Sequence, residues 1–245
     1  TVQAETGYMY ISGDGNEPTM IGTVFLDYTT GLNTAAGILA ALHSRNNTGK
    51  GELIETSLVG SALSLSMEAI PNFFLNKKDF EKNGNSDRFS SPSNTYKAKD
   101  GYIHIMAGSN DRFLGLTKAM NNEKLSKSEL FTSPEKRLLN QNKIDKIVNR
   151  WTKKNSITKL GQLLTKYSVP WGRVKKFKEF LKTATAKNHL SVAKVGNKNI
   201  LVPKCVVQTT KSKNLSVKEV PEVGQHNLSI LKKLGYKNKE LLKLK

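Results

Sequence analysis

Several residue types in this sequence could do chemistry, and most lack the company that the chemistry needs. His43, His104, His189 and His226 are dispersed, and the single cysteine, Cys205, cannot supply the paired spacing of a zinc site. A Cys–His nucleophilic pair at Cys205 competes with a plain core thiol, and its apolar surroundings favour the core thiol. No G-x-S-x-G stretch offers a serine nucleophile on a tight elbow. Thr48-Gly49-Lys50-Gly51 looks at first like a phosphate loop, but position 44 is Ser and Gly51 follows the lysine. That stretch reads as a helix-to-strand connector. Asp27 falls where the pattern starts a helix. On spacing alone its expected role is an N-cap, its carboxylate accepting from the unpaired amides of the first turn.

The elements that would position Asp27 follow from periodicity. Residues 19–27 read as a short apolar strand or extended segment reaching a helix. Behind it, Tyr28, Leu32, Ala35, Ala36, Leu39 and Leu42 recur at helical spacing, and small residues keep the helix thin enough for close packing. Leu53–Thr56 reads as a strand, and Ser57 caps a second helix that Pro71 should stop. Beyond a polar loop, Asn94–Lys99 and Tyr102–Ala107 form a hairpin turning at Asp100-Gly101. Helices are expected over Asp111–Met120, Pro134–Lys153 and Ser156–Tyr167, the second with Ile144, Ile147, Val148 and Trp151 on one stripe. A turn and strand over Val169–Val174, a short helix over Lys175–Lys182 and a hairpin over 190–207 complete an α+β unit. A polar linker, Lys211–Pro221, leads to two short helices, around Asn227–Leu234 and Asn238–Lys243.

The net charge is +19, but residues 1–72 hold seven acids against two bases. Of the 39 bases, 33 are lysine and six arginine, so the guanidinium forks used to read bases are scarce. A solvated lysine surface is the favoured reading; a basic, non-catalytic nucleic-acid-binding protein is the rival from another class, and nucleic acid is not the expected partner. No run approaches the length of a spanning helix, so no membrane partner is expected, and a single cysteine suits a reducing compartment. The cytoplasm is the expected location. The sequence begins with Thr1, so a leader or more is expected to precede it.

Ile21-Gly22-Thr23-Val24-Phe25-Leu26-Asp27-Tyr28-Thr29-Thr30-Gly31 resembles the catalytic segment of family III CoA transferases. Further stretches resemble the same family in the same order. They are Ala35–Leu42 with Arg45, Thr48–Gly51 and Glu55–Leu58; Tyr96–Ile103; Val169–Val174, with Arg173 where the family has a second proline; and Pro221–His226 with Leu234–Tyr236. Each piece is weak alone, and five in order over nearly the whole chain are specific.

The resemblance implies an α/β fold: the end of a Rossmann-like large domain, a smaller α+β domain, and C-terminal helices returning to the large domain. Residues 1–75 would be the C-terminal portion of the large domain with the catalytic Asp27, 90–207 the small domain, and 208–245 the linker and returning helices. It also implies that Asp27 takes an acyl group from a CoA thioester as a mixed anhydride, so that CoA passes to a small carboxylic acid. The implied partners are an acyl-CoA, a small carboxylic acid and a second copy in an interlocked homodimer, with no permanently bound cofactor and no metal. Gly84 and Asn85 fall where some members close a glycine-rich loop over substrate, though this loop has one glycine instead of a run. The family's racemase branch, acting on 2-methylacyl-CoA, needs a glutamate where Asn110 stands. An amide is no proton-transfer base, so transfer is preferred to racemisation. The CoA pocket lies largely upstream in the family, so this portion alone is expected to lack part of it.

Overall fold

Ser57, Ser109, Ser133 and Ser156 each accept a hydrogen bond from the amide three residues on, and each starts a helix. They punctuate the first of two units, Thr1–Val174 and Lys175–Lys245, into which the chain packs. The structure, a computed structural model, describes residues 1–207, 210 and 219–237.

The first unit opens with two single turns, α1 (Val2–Glu5) and α2 (Tyr8–Ile11), then a 24-residue helix, α3 (Phe25–Thr48). Gly49 ends α3 in a left-handed conformation, φ 74°, its N–H donating to the Arg45 carbonyl at 2.8 Å. Thr48–Gly51 is therefore a helix-ending turn, as its spacing indicated. Two apolar helices follow, α4 (Leu58–Leu65) and α5 (Ala69–Asn76), bent by 64°. A small cluster of Tyr8, Leu26 and Ala62, with Val2, Ile11, Ile21 and Phe25 around it, joins these elements.

The larger cluster lies beyond them. Strands β1 (Ser93–Ala98) and β2 (Gly101–Met106) form the expected hairpin, Ala98 opposite Gly101, and β3 (Trp171–Arg173) pairs antiparallel with β2. Against this sheet pack α6 (Asn110–Ala119), α8 (Gln141–Lys153) and α9 (Ile157–Lys166), with α7 (Pro134–Leu139) beside α8. Ile103, Ile105, Leu116, Ile144, Val148, Leu160 and Leu164 are wholly buried. Gly115 lets the chain after α9 approach: an added Cβ would lie 2.5 Å from the Tyr167 carbonyl oxygen.

The second unit has single turns α10 (Phe177–Phe180) and α11 (Ala184–Asn188), then β4 (Leu190–Val195) and β5 (Lys198–Pro203) as an antiparallel hairpin. Strand β6 (Glu219–Val220) lies parallel to β4, and α12 (Asn227–Lys233) follows. The expected helix Asn238–Lys243 and most of the expected linker lie outside the described residues.

Five expectations need correction. Of the two alternatives for 19–27 the strand does not form; a non-strand segment reaches the helix, which begins inside that range at Phe25 because Phe25 and Leu26 anchor in the small cluster. Leu53–Thr56 has no strand partner and instead runs along α3, where the Thr34 and Thr56 hydroxyls meet at 2.8 Å. Pro71 does not stop a helix; it is the third residue of α5, where the missing N–H has no intrahelical role. The helix over Pro134–Lys153 is broken at Asn140, whose side-chain amide donates to the Lys136 carbonyl at 3.0 Å and competes with the helical ladder. Cys205 is exposed beyond the end of β5, not in a core, and its thiol donates to the Val207 carbonyl.

Candidate active site

The start of α3 is held from below. The Phe25 ring meets Tyr8 edge-on at 5.3 Å, and Leu26 is buried beside it. The Tyr8 hydroxyl donates to the Ala62 carbonyl at 2.9 Å and accepts from the Ser66 hydroxyl at 3.0 Å. From α1, the Gln3 side chain accepts from the Ile21 N–H at 3.0 Å. These contacts fix where the helix begins, and Asp27, next in the chain, is exposed. It is not the cap. Val24 occupies that position, with no side-chain cap bond, and Asp27 is the third helical residue. The helix starts three residues earlier than polarity alone implied, with Val24 and not Asp27 at the cap, because the apolar anchors decide its start. Among the described residues no hydrogen bond or ion pair holds the Asp27 carboxylate. A carboxylate that is exposed beside uncapped first-turn amides is open to a reaction partner.

Two open clefts lie in the same unit. One, about 660 Å³, is lined by Tyr10, Asp14, Ser66, Asp79, Glu81 and their neighbours. The other, about 1000 Å³, is lined by Asn72, Phe80, Asn83, Arg88, Phe89 and Gln141 among others. Asp27, Gly84 and Asn85 line neither. Gly84 has φ 56° and donates its N–H to the Gly13 carbonyl at 3.1 Å, while Asn85 is exposed. An added Cβ at Gly84 would sit 3.2 Å from the Asp14 Cβ, so packing explains this glycine. Among the described residues no group of three His, Cys, Asp or Glu could hold a metal ion, and no single helix is long and apolar enough to cross a membrane.

Asn110 begins α6, and its side-chain oxygen accepts from Arg137 at 3.0 Å. That guanidinium is buried, stacks on Phe113 at 4.7 Å, and also donates to the carbonyls of Ser91, Phe131 and Gly108. Burial lowers the Arg137 pKa below the ordinary arginine value, with Glu135 opposing the shift. A second buried polar group joins β1 to α8. The Tyr96 hydroxyl donates to Asp145 Oδ1 at 2.5 Å, and Asn94 Nδ2 donates to Asp145 Oδ2 at 2.8 Å. Burial, with the Asp145 carboxylate beside it, pushes the Tyr96 phenol far above the usual tyrosine value.

Sequence reasoning missed these buried polar residues, although one signal was present. In a chain with 33 lysines and six arginines, an arginine marks a place that lysine cannot serve. Arg88, Arg112 and Arg137 all donate to backbone carbonyls distant in sequence, while no described lysine is buried.

CoA-transferase family III matches the chain over residues 1–227. The succinyl-CoA:glutarate CoA-transferase of Mus musculus is 28% identical over 240 residues, covering 94% of this chain and 54% of that protein. The succinyl-CoA–D-citramalate CoA-transferase of Chloroflexus aurantiacus is 30% identical over 165 residues, 67% of this chain and 41% of that one. Among solved structures, a CAIB/BAIF family protein from Brucella suis superposes with TM-score 0.79 at 23% identity, covering 95% of this chain and 61% of that chain. A protein from Mycobacterium tuberculosis gives 0.81 at 19%, covering 93% and 61%. The chain thus spans about half the length of the curated relatives it matches.

Proposed function

Because this chain belongs to CoA-transferase family III, we propose that it serves the transfer of CoA from an acyl-CoA thioester to a small carboxylic acid, with Asp27 as the acyl carrier. A carboxylate oxygen of Asp27 attacks the thioester carbonyl; the C–S bond breaks, CoA leaves as thiolate, and a mixed anhydride remains. The thiolate then attacks the aspartyl carbonyl of that anhydride, releasing the donor acid and leaving CoA on Asp27. The incoming carboxylate repeats these two steps in reverse and leaves as the new thioester, which restores Asp27. The uncapped amides at the start of α3 offset the negative charge that builds on the attacked carbonyl oxygen. The observation that carries this reading is the exposed, unbonded Asp27 carboxylate in the first turn of a well-anchored helix.

Residues 1–75 act in this reading as the closing part of a larger domain, and Gly84 and Asn85 contact substrate. The relatives named above use succinyl-CoA with glutarate or citramalate, so succinyl-CoA with a small dicarboxylic acid is the first pair to try. The α3 face supports a larger assembly: Tyr28 and Leu32 are each 70% exposed and Leu39 68%. That stripe needs a cover, from further polypeptide of the large domain or from a second copy. Incubation with succinyl-CoA and each acid, followed by mass spectrometry of the CoA esters, should show the acceptor's thioester. Asp27→Ala should abolish it, and undiminished transfer by that variant would remove Asp27 from the mechanism.

A further inference from the structure

The segment 82–88 is tied on both sides. Toward the N-terminal elements, Lys82 Nζ donates to the Glu17 carbonyl, the Gly84 N–H to the Gly13 carbonyl at 3.1 Å, and an Arg88 guanidinium nitrogen to the Ile11 carbonyl at 3.3 Å. Toward the larger cluster, the Asp87 N–H donates to the Ser93 carbonyl at 2.9 Å and Gln141 Nε2 donates to the Asp87 carbonyl at 3.0 Å. The remaining tie is a side-chain relay. Asn94 Nδ2 donates one hydrogen to Ser86 Oγ at 2.6 Å and the other to Asp145 Oδ2 at 2.8 Å. Asn94 Oδ1 meanwhile accepts from the Thr95 N–H at 2.7 Å, so turning the amide over would lose the bonds to Thr95 and Asp145 and leave only the Ser86 hydroxyl to donate to the turned oxygen. Asp145 and the Thr95 N–H together set which way Asn94 faces, and Asn94 holds Ser86.

We propose that Asp145 is a positioning residue that locks segment 82–88 as a clasp between the two hydrophobic clusters of the Thr1–Val174 unit. The clasped N-terminal stretch, Ile11–Thr19, leads directly into the helix that carries Asp27. The clasp itself carries Gly84 and Asn85. An apolar side chain would fill the space at Asp145 with less desolvation, but it would leave one Asn94 hydrogen without an acceptor and the amide orientation held by the Thr95 N–H alone. The effect on turnover rests on the functional reading above; the clasp does not.

The test uses hydrogen exchange by mass spectrometry on the whole chain. Asp145→Asn should speed exchange about tenfold in peptides covering 82–88 and 11–19, since a bond to an ionised acceptor is among the stronger ones. The cores of β2 and α8 should exchange as in the wild type. Tyr96→Phe also removes a bond to Asp145 but leaves the Asn94–Ser86 link, so 82–88 should stay protected. Ser86→Ala, which removes the loop end of the relay from a position outside the core, should loosen 11–19 as Asp145→Asn does. Unchanged protection of 11–19 in both Asp145→Asn and Ser86→Ala would overturn the proposal. So would equal loosening of clasp and core by Asp145→Asn and Tyr96→Phe, which is what a merely structural carboxylate would give. In transfer assays Asp145→Asn should raise KM for the thioester while kcat changes about twofold or less. A wild-type chain without transfer activity would count against the functional reading, and the exchange result would still decide the clasp.

Discussion

Replacing Arg137 by methionine keeps much of its apolar stem and strands its partners. The buried Ser91 and Phe131 carbonyls, the half-buried Gly108 carbonyl and the Asn110 side chain lose a donor, which should cost about 3 kcal/mol or more. Urea unfolding measures that loss, and lysine should not rescue it, because a single ammonium cannot reach four acceptors in a plane. Tyr96 gives a pH-dependent counterpart. An unfolded tyrosine ionises near pH 10, whereas burial and Asp145 keep the folded Tyr96 protonated well above that. Above about pH 10 the folded chain thus binds one proton more than the unfolded chain, and stability should fall by up to about 1.4 kcal/mol per pH unit. Below that pH the contribution is fully present. Tyr96→Phe cannot lose this proton, so the stability gap between wild type and variant should narrow as pH rises through about 10. An unchanging gap would mean that Tyr96 ionises normally. The sequence singled out Asp27 as a candidate because its neighbours carry a family pattern. Tyr96, Asp145 and Arg137 were not legible, because most of their partners are distant in sequence: Asn110 lies 27 residues from Arg137, and Asp145 lies 49 from Tyr96.

Helices with local start signals were readable, and those whose limits depend on distant packing were not. Ser57 and Ser156 cap helices where the sequence placed them, and the stripe of Ile144, Ile147, Val148 and Trp151 faces the larger cluster. The β1–β2 hairpin was legible for the same reason, since alternation and a two-residue turn are short-range features. The start of α3 depends on Tyr8 and Ala62, far from Phe25 in sequence, and no periodicity in residues 19–27 encodes that contact. The α3 stripe shows a further limit: periodicity gave the helix and its apolar face, but not what covers that face. The residues recur as expected, yet Tyr28, Leu32 and Leu39 stand mostly exposed.

For the molecule as a whole, that exposed stripe and the coverage of the relatives point the same way. The chain accounts for 94% of its own length in the match but only 54% of the mouse relative's. If further polypeptide covers α3, charging the stripe should be harmless to this chain by itself. Leu32→Lys with Leu39→Lys should change its stability by less than about 1 kcal/mol, as for surface positions, and should reduce self-association in sedimentation velocity. A large loss of stability would mean that the stripe already packs within the chain. No described lysine is buried, so the lysines behind the +19 net charge stand, among the described residues, on the solvated surface.

Trapping the covalent intermediate tests the central claim most directly. With succinyl-CoA and hydroxylamine present, peptide mass spectrometry should find the Asp27 carboxylate converted to its hydroxamate, while Asp14 and Asp79 remain unmodified. An unmodified Asp27 in a preparation that transfers CoA would contradict the account.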